Sequence, residues 1–208
     1  MSAVLRRGLY AITADGSNGE STIQVAVAQA LEGGAVAVQY RDKSEDHARR
    51  RREALELKAL CGARGVPLIV NDDVELALVA DADGVHLGRH DPALESARDR
   101  LGAEAIIGVS CYASLERAVE AERAGADYVA FGRFFPSATK PGAPPCPLSV
   151  LEAARDTLTV PVAAIGGITA DNGATLLDAG ADLLAVIDAV FGQADVRAAA
   201  ARIAELFD

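Results

Sequence analysis

Three long polar side chains, Gln39, Arg41 and Lys43, stand two residues apart where the apolar run 35–40 (AVAVQY) gives way to charge. Residues at alternate positions of an extended chain point to one side, so an amide, a guanidinium and an ammonium group are aimed together, while Val38 and Tyr40 face the other way. Positive charge taken into a partly buried mouth needs anionic company, because burying it unpaired is costly. That company is either a structural carboxylate or a phosphorylated ligand. The next apolar run, 67–70 (PLIV), ends in Asn71-Asp72-Asp73, and the one after it, 83–87 (DGVHL), is followed by Gly88-Arg89-His90-Asp91. Adjacent strands lie about 4.8 Å apart, so carboxylates at these two ends can converge on one cation. Magnesium suits such a place, since it takes one or two protein carboxylates and completes its octahedron with phosphate oxygens and water. Asp72 and Asp91 are the candidate ligands; Asp73 reads as the N-cap of the following helix.

Further along, Ser110 follows the run 105–109 (AIIGV), and 127–131 (DYVAF) opens into a loop carrying Ser137, Thr139 and Lys140. The run 160–165 (VPVAAI) ends in Gly166-Gly167, and 182–187 (DLLAVI) ends at Ile187-Asp188. A glycine pair exposes backbone N–H groups, and helix N-termini favour anions, so these two ends suit a phosphate. His86 lies inside its strand with one other histidine near, and reads as a hydrogen-bonded structural residue as readily as a metal ligand or base. His90 is a loop residue without a role, and His47 falls on a charged, exposed helix. No Ser-His-Asp or Cys-His constellation is present.

The elements that must position these groups alternate strictly. Eight short runs rich in β-branched residues begin with 8–13 (GLYAIT), and the seven already quoted or implied follow it, separated by helix-period segments. Strand starts recur about every 25 residues, the spacing of βα units with short loops. Ser21-Thr22-Ile23-Gln24 reads as a capping box for the first helix, and Val196, Ala199, Ala200, Ile203 and Phe207 trace a stripe of the last. Ala124-Gly125-Ala126-Asp127 and Ala179-Gly180-Ala181-Asp182 are identical, with Gly33-Gly34-Ala35 and Ala82-Asp83-Gly84 as looser versions. A glycine just past a helix can take the left-handed conformation that stops it. Strict alternation favours a single-domain α/β fold, a closed (β/α)8 barrel over residues 1–208, rather than an open doubly wound sheet. In such a barrel the polar strand ends meet at one mouth.

Composition narrows the rest. A formal net charge of −10 argues against nucleic-acid or anionic-membrane partners. Arg49-Arg50-Arg51-Arg52, with Glu45, Asp46, Glu53 and Glu56 near, reads as a charge-paired helix face rather than a phosphate patch. No run of about 18 apolar residues is present, and residues 1–7 lack the apolar stretch of a secretory leader. Three scattered cysteines, Cys61, Cys111 and Cys146, fit neither a disulfide framework nor a zinc site. A reduced, cytoplasmic setting is expected, as a monomer or a homo-oligomer.

Gly8-Leu9-Tyr10-Ala11-Ile12-Thr13, Gln39-Tyr40-Arg41-Asp42-Lys43, Asn71-Asp72, Gly84-Val85-His86-Leu87-Gly88 with Asp91, Ser137-Ala138-Thr139-Lys140-Pro141 and Ala164-Ile165-Gly166-Gly167-Ile168, taken in order along essentially the whole chain, resemble the thiamine phosphate synthase family. The resemblance implies condensation of an aminopyrimidine-methyl diphosphate with a thiazole phosphate, with or without an extra carboxylate, assisted by Mg2+ and releasing diphosphate. It implies a pyrimidine diphosphate site made by the segment Gln39, Tyr40, Arg41, Asp42 and Lys43 with Asn71, Ser110 and Lys140. Arg41, Lys43, Lys140 and Ser110 are then the catalytic groups, and Asp72 and Asp91 the metal ligands. The thiazole phosphate falls to Ser137, Ala138, Thr139, Gly167, Ile187 and Asp188. Asp188 departs from the family pattern, in which serine is common. The alternatives are a thiazole phosphate tautomerase of the related barrel family, which would have no use for the Arg41/Lys43 clamp, and a non-catalytic phosphate-binding barrel.

Overall fold

A computed structural model describes residues 5–14, 22–89, 91–136 and 144–208. Eight parallel strands close into a barrel in sequence order: β1 (Gly8–Ile12), β2 (Ala35–Tyr40), β3 (Leu68–Asn71), β4 (Gly84–Leu87), β5 (Ile106–Tyr112), β6 (Tyr128–Gly132), β7 (Val162–Ile165) and β8 (Leu183–Val186). Around it run α1 (Ile23–Glu32), α2 (His47–Gly62), α3 (Val74–Val79), α4 (Leu94–Leu101), α5 (Leu115–Arg123), α6 (Ser149–Thr157), α7 (Gly173–Asp178), α8 (Asp188–Phe191) and α9 (Val196–Ala204). The single-domain (β/α)8 architecture is the one expected from the alternation of strand and helix patterns.

Strand alternation divides the buried residues into two layers. Leu9, Ala11, Val38 and Tyr40 pack outward against the helices. Tyr10, Ile12, Ala37, Ile69, Tyr128 and Ala130 fill the barrel interior. The interior is unusual in holding two full tyrosines, and β5 makes room for one. A Cβ at Gly108 would lie 2.0 Å from the Tyr128 ring, so only glycine lets that ring fold across the strand. Gly108→Ala is expected to cost about 3 kcal/mol, the upper range for overpacking a filled core, read as a lower denaturation midpoint in urea. An unchanged midpoint would mean the ring can step aside.

The repeated joints hold a second device that the glycine argument missed. Asp83, Asp127 and Asp182 each precede an even-numbered strand, and each carboxylate accepts a backbone N–H at the start of the strand before it, from Leu68, Ile107 and Val162 (2.9, 2.7 and 2.9 Å). Each aspartate N–H bonds the carbonyl of that same residue (2.9, 2.8 and 2.8 Å). The aspartate therefore staples neighbouring strands in register, satisfying groups that a strand start would otherwise leave unpaired. Gly34, Gly125 and Gly180 have the left-handed φ expected (95°, 93° and 112°). Gly84 does not; a Cβ there would sit 1.9 Å from the Ile106 carbonyl oxygen, so its glycine serves a close approach between β4 and β5.

Two other expectations are corrected. The capping box shifts by one residue: Thr22, not Ser21, is the N-cap of α1, accepting from Val25 N (3.4 Å), and Gln24 reaches out to Glu56 on α2. Ser21 lies outside the described residues. The stripe of the last helix ends with α9 at Ala204, and Phe207 belongs to a following 3-10 turn, Glu205–Phe207. Asp73 caps α3 as the sequence indicated, accepting from Leu76 N (2.9 Å).

Candidate active site

The C-terminal ends of the strands open on a cavity of about 410 Å3. Gln39, Arg41, Asn71, Ser110, Gly167, Ile187 and Asp188 all line it, so seven residues picked from five different strand ends meet around one space. A second hollow of about 400 Å3 adjoins it through Asn71 and is walled by Lys43, Asp72, Arg50 and Asp73. Ser137, Ala138, Thr139 and Lys140 lie outside the described residues, as does His90.

Each wall is fixed by local structure. The buried Thr13 hydroxyl, just past β1, donates to the Arg41 carbonyl (3.0 Å) and accepts from the Arg41 N–H (2.8 Å). It thus pins the backbone from which the Arg41 side chain leaves. Asp42 does not face the cavity: its carboxylate accepts from Ser44 N (2.7 Å) and from Arg49 Nη2 (2.6 Å). Burial raises the Asp42 carboxyl, but the Ser44 and Arg49 bonds outweigh it and hold it below its ordinary value. Tyr40 faces the helices, donating to Glu53 Oε2 of α2 (2.8 Å). Tyr40 is turned from the ligand space and Asp42 lines the second hollow rather than the main cavity; both brace the strand and loop that present Gln39, Arg41 and Lys43. Arg49 and Arg50 are engaged in the same bracing, Arg50 through Asp73 (2.8 Å), whereas Arg51 and Arg52 are exposed.

The acidic cluster assembles across β3 and β4. Lys43 forms an ion pair with Asp72. Asp72 takes a left-handed φ of 64°, held by its N–H bond to the His86 carbonyl (2.8 Å). Asp91 is aimed by the Gly88 N–H, 2.6 Å from its Oδ2. The two carboxyls interact directly. Burial raises Asp72, but bonds from Lys43 and Asp91 bring it below its ordinary value; burial and the neighbouring Asp72 push Asp91 up. Two carboxyls this close share either a proton or a cation. Among the described residues no group of three or more His, Cys, Asp or Glu side chains gathers as a metal cage. A pair of hard oxygen donors suits magnesium completed by phosphate, and does not suit zinc.

On the far side, Gly166 and Gly167 have φ of 106° and 64° and pass beneath residues 133–136, with the Phe135 N–H bonded to the Gly166 carbonyl (3.0 Å). A Cβ at Gly167 would lie 2.3 Å from the Pro136 carbonyl oxygen. The glycine pair is thus needed for contact with the loop after β6 as well as for an open backbone. Asp188 begins the short α8, an element the strand count alone did not foresee. Sequence reasoning also passed over Tyr10, Arg133 and Gln193, which line the cavity. Tyr10 carried a usable signal, being a polar-tipped ring at an inward position of β1, where a buried hydroxyl must find a partner.

Cations and paired carboxylates gathered at the C-terminal mouth of a closed barrel define a (β/α)8-barrel enzyme. The sequence matches the family described as thiamine monophosphate synthase over residues 9–190. It is 51% identical to the thiamine-phosphate synthase of Thioalkalivibrio sulfidiphilus, covering 97% of this chain and 96% of that protein. It is 54% identical to that of Thiobacillus denitrificans, covering 96% and 94%. The thiamine phosphate pyrophosphorylase structure from Pyrococcus furiosus superposes with a TM-score of 0.87 at 38% identity, covering 97% of this chain and 96% of that one. The chain belongs to the thiamine monophosphate synthase family, and it is a transferase. Among the described residues no helix is long and apolar enough to cross a membrane.

Proposed function

We propose that this enzyme makes thiamine phosphate by joining an aminopyrimidine-methyl diphosphate to a thiazole phosphate with release of diphosphate. The observation that carries the reading is the Lys43–Asp72–Asp91 cluster lying directly beside a cavity walled by Gln39, Arg41, Asn71 and Ser110. Asp72 and Asp91 would hold magnesium, which when bound supplies charge neutralisation to the departing diphosphate. Arg41 and Lys43, with Lys140, offset the negative charge that develops as the carbon–oxygen bond breaks. The electron-rich aminopyrimidine carries the positive charge left on its methylene carbon, and the thiazole nitrogen attacks there. Gln39, Asn71 and Ser110 orient the pyrimidine, and no protein nucleophile is required. Catalysis is positioning plus preorganised electrostatics. The three cysteines are buried free thiols, in keeping with a reducing, cytoplasmic setting.

The thiazole phosphate is placed at Gly167 and Ile187-Asp188, together with Ser137 and Thr139. Asp188 lines the same cavity, and since its carboxylate would repel a phosphate, the backbone N–H does the binding with the side chain turned away. Asp188→Ser is expected to leave the KM for thiazole phosphate unchanged or lower it a few-fold, and a large rise would give the carboxylate a positive role. A tautomerase would use neither the cationic clamp nor the carboxylate pair. Mixing the purified protein with both heterocycles and following diphosphate release, with and without magnesium, tests the reading; binding of both without release would leave only a phosphate-ligand sensor.

A further inference from the structure

A row of hydrogen bonds crosses the floor of the cavity from β2 to β5. Gln39 Nε2 donates to Tyr10 Oη (2.8 Å), and Tyr10 Oη lies 2.8 Å from Tyr128 Oη. Tyr128 Oη lies 2.8 Å from His86 Nδ1, and His86 Nε2 lies 2.9 Å from Ser110 Oγ. The two end members were placed on the pyrimidine above. The three between them, contributed by β1, β6 and β4, have no part in the mechanism as stated. They are held rigidly: the tyrosine rings meet edge to face at 5.8 Å, and Gly108 is kept bare for the Tyr128 ring. Burial pushes both phenols well above their ordinary values, so each hydroxyl keeps one proton and gives one donor.

Counting those protons sets a direction. The Gln39 amide nitrogen can only donate, so the Tyr10 oxygen accepts there and passes its own proton toward Tyr128. Tyr128 then donates to His86 Nδ1, which must be bare. The neutral imidazole has one N–H, and it falls on Nε2, facing Ser110 Oγ. Ser110 accepts that bond and keeps its own proton for whatever fills the cavity. We infer that Tyr10, Tyr128 and His86 form a proton-ordered relay that locks His86 as its Nε2–H tautomer and thereby makes the Ser110 hydroxyl a donor toward the ligand. They are positioning residues, acting through Ser110 and Gln39. The identity of that ligand rests on the function proposed above; the tautomer does not.

The first test therefore needs no substrate. In histidine-15N-labelled native protein at pH 8, the His86 signals, identified by their loss in His86→Asn, are expected to show a single Nε2–H tautomer. An Nδ1–H form or a mixture overturns the inference. In the second test, Tyr128→Phe keeps the ring and cuts the relay, and is expected to lower kcat/KM for the pyrimidine diphosphate about tenfold, the usual scale for one ordered hydrogen bond. The KM for thiazole phosphate should not move. Because the residue acts through Ser110, the same change made in a Ser110→Ala background should cost about twofold or less; an undiminished loss there overturns the coupling. Tyr10→Phe also strips Gln39 of its acceptor, so part of its fall should persist in the Ser110→Ala background; a fall that vanishes there entirely would remove Gln39 from the relay. Absence of turnover with both heterocycles would overturn the substrate reading and leave the tautomer measurement to decide the relay.

Discussion

Arg41→Ala is expected to lower kcat/KM for diphosphate release by at least about 10²-fold, the usual consequence of deleting one preorganised charge-stabilising donor, about 3 kcal/mol. The loss should fall on kcat more than on KM, because the guanidinium is needed most as negative charge builds on the departing oxygen. The variant should fold normally, since Thr13 holds Arg41 by its backbone N–H and carbonyl and neither is altered by alanine. Arg41→Lys should recover only part of the rate, because an ammonium lacks the fork that engages two phosphate oxygens at once. Lys140→Ala, at a position known here from its sequence context alone, is expected to fall by a similar factor. Steady-state kinetics on the two alanine variants decides both; turnover close to native in either removes that residue from the mechanism.

Removing divalent cations with EDTA should suppress turnover on the order of 10³-fold, since several kcal/mol of charge stabilisation disappears with the metal. Added Mg2+ should restore it. Asp72→Asn and Asp91→Asn each keep the shape of the cluster while halving its charge. Each is expected to raise the Mg2+ concentration for half-maximal rate at least about tenfold, the lower bound seen even for groups that only support a metal ligand. Lys43 adds an internal control. It is ion-paired with Asp72, so Lys43→Ala should lower the rate without raising the magnesium requirement. Undiminished diphosphate release in EDTA would remove the metal from the reaction and leave the Asp72–Asp91 pair as a proton-sharing structural feature.

Much of this enzyme could be read before any coordinates. The eight strands lie within two residues of their expected ends, except that β5 runs three residues further, to Tyr112, because a parallel strand buried on both faces must be a short apolar run bounded by polar or glycine residues. The same rule exposed the site, since Gln39, Arg41, Asn71, Ser110 and Asp188 interrupt or end such runs where a barrel has its mouth. Asp73 as a cap and the Arg49–Glu53 pair followed from local spacing, whereas Arg50 finds its partner in Asp73, 23 residues on. Local spacing failed where a side chain had two possible partners at similar distance along the chain. Thr22 rather than Ser21 caps α1, and Asp42 serves Ser44 and Arg49 rather than the cavity.

What the linear order determined, then, is the set of elements and the edge on which the polar groups collect, since both follow from the period of hydrophobic burial. Tertiary structure alone decided which of those groups touch. Lys43 meets Asp72, and Gln39 is linked to Ser110 through Tyr10, Tyr128 and His86, across strands up to 118 residues apart in sequence. Such contacts depend on the registers in which the closing strands lock and on where Gly108 leaves space. Those are properties of the closed barrel as a whole, and no local stretch of the chain carries them.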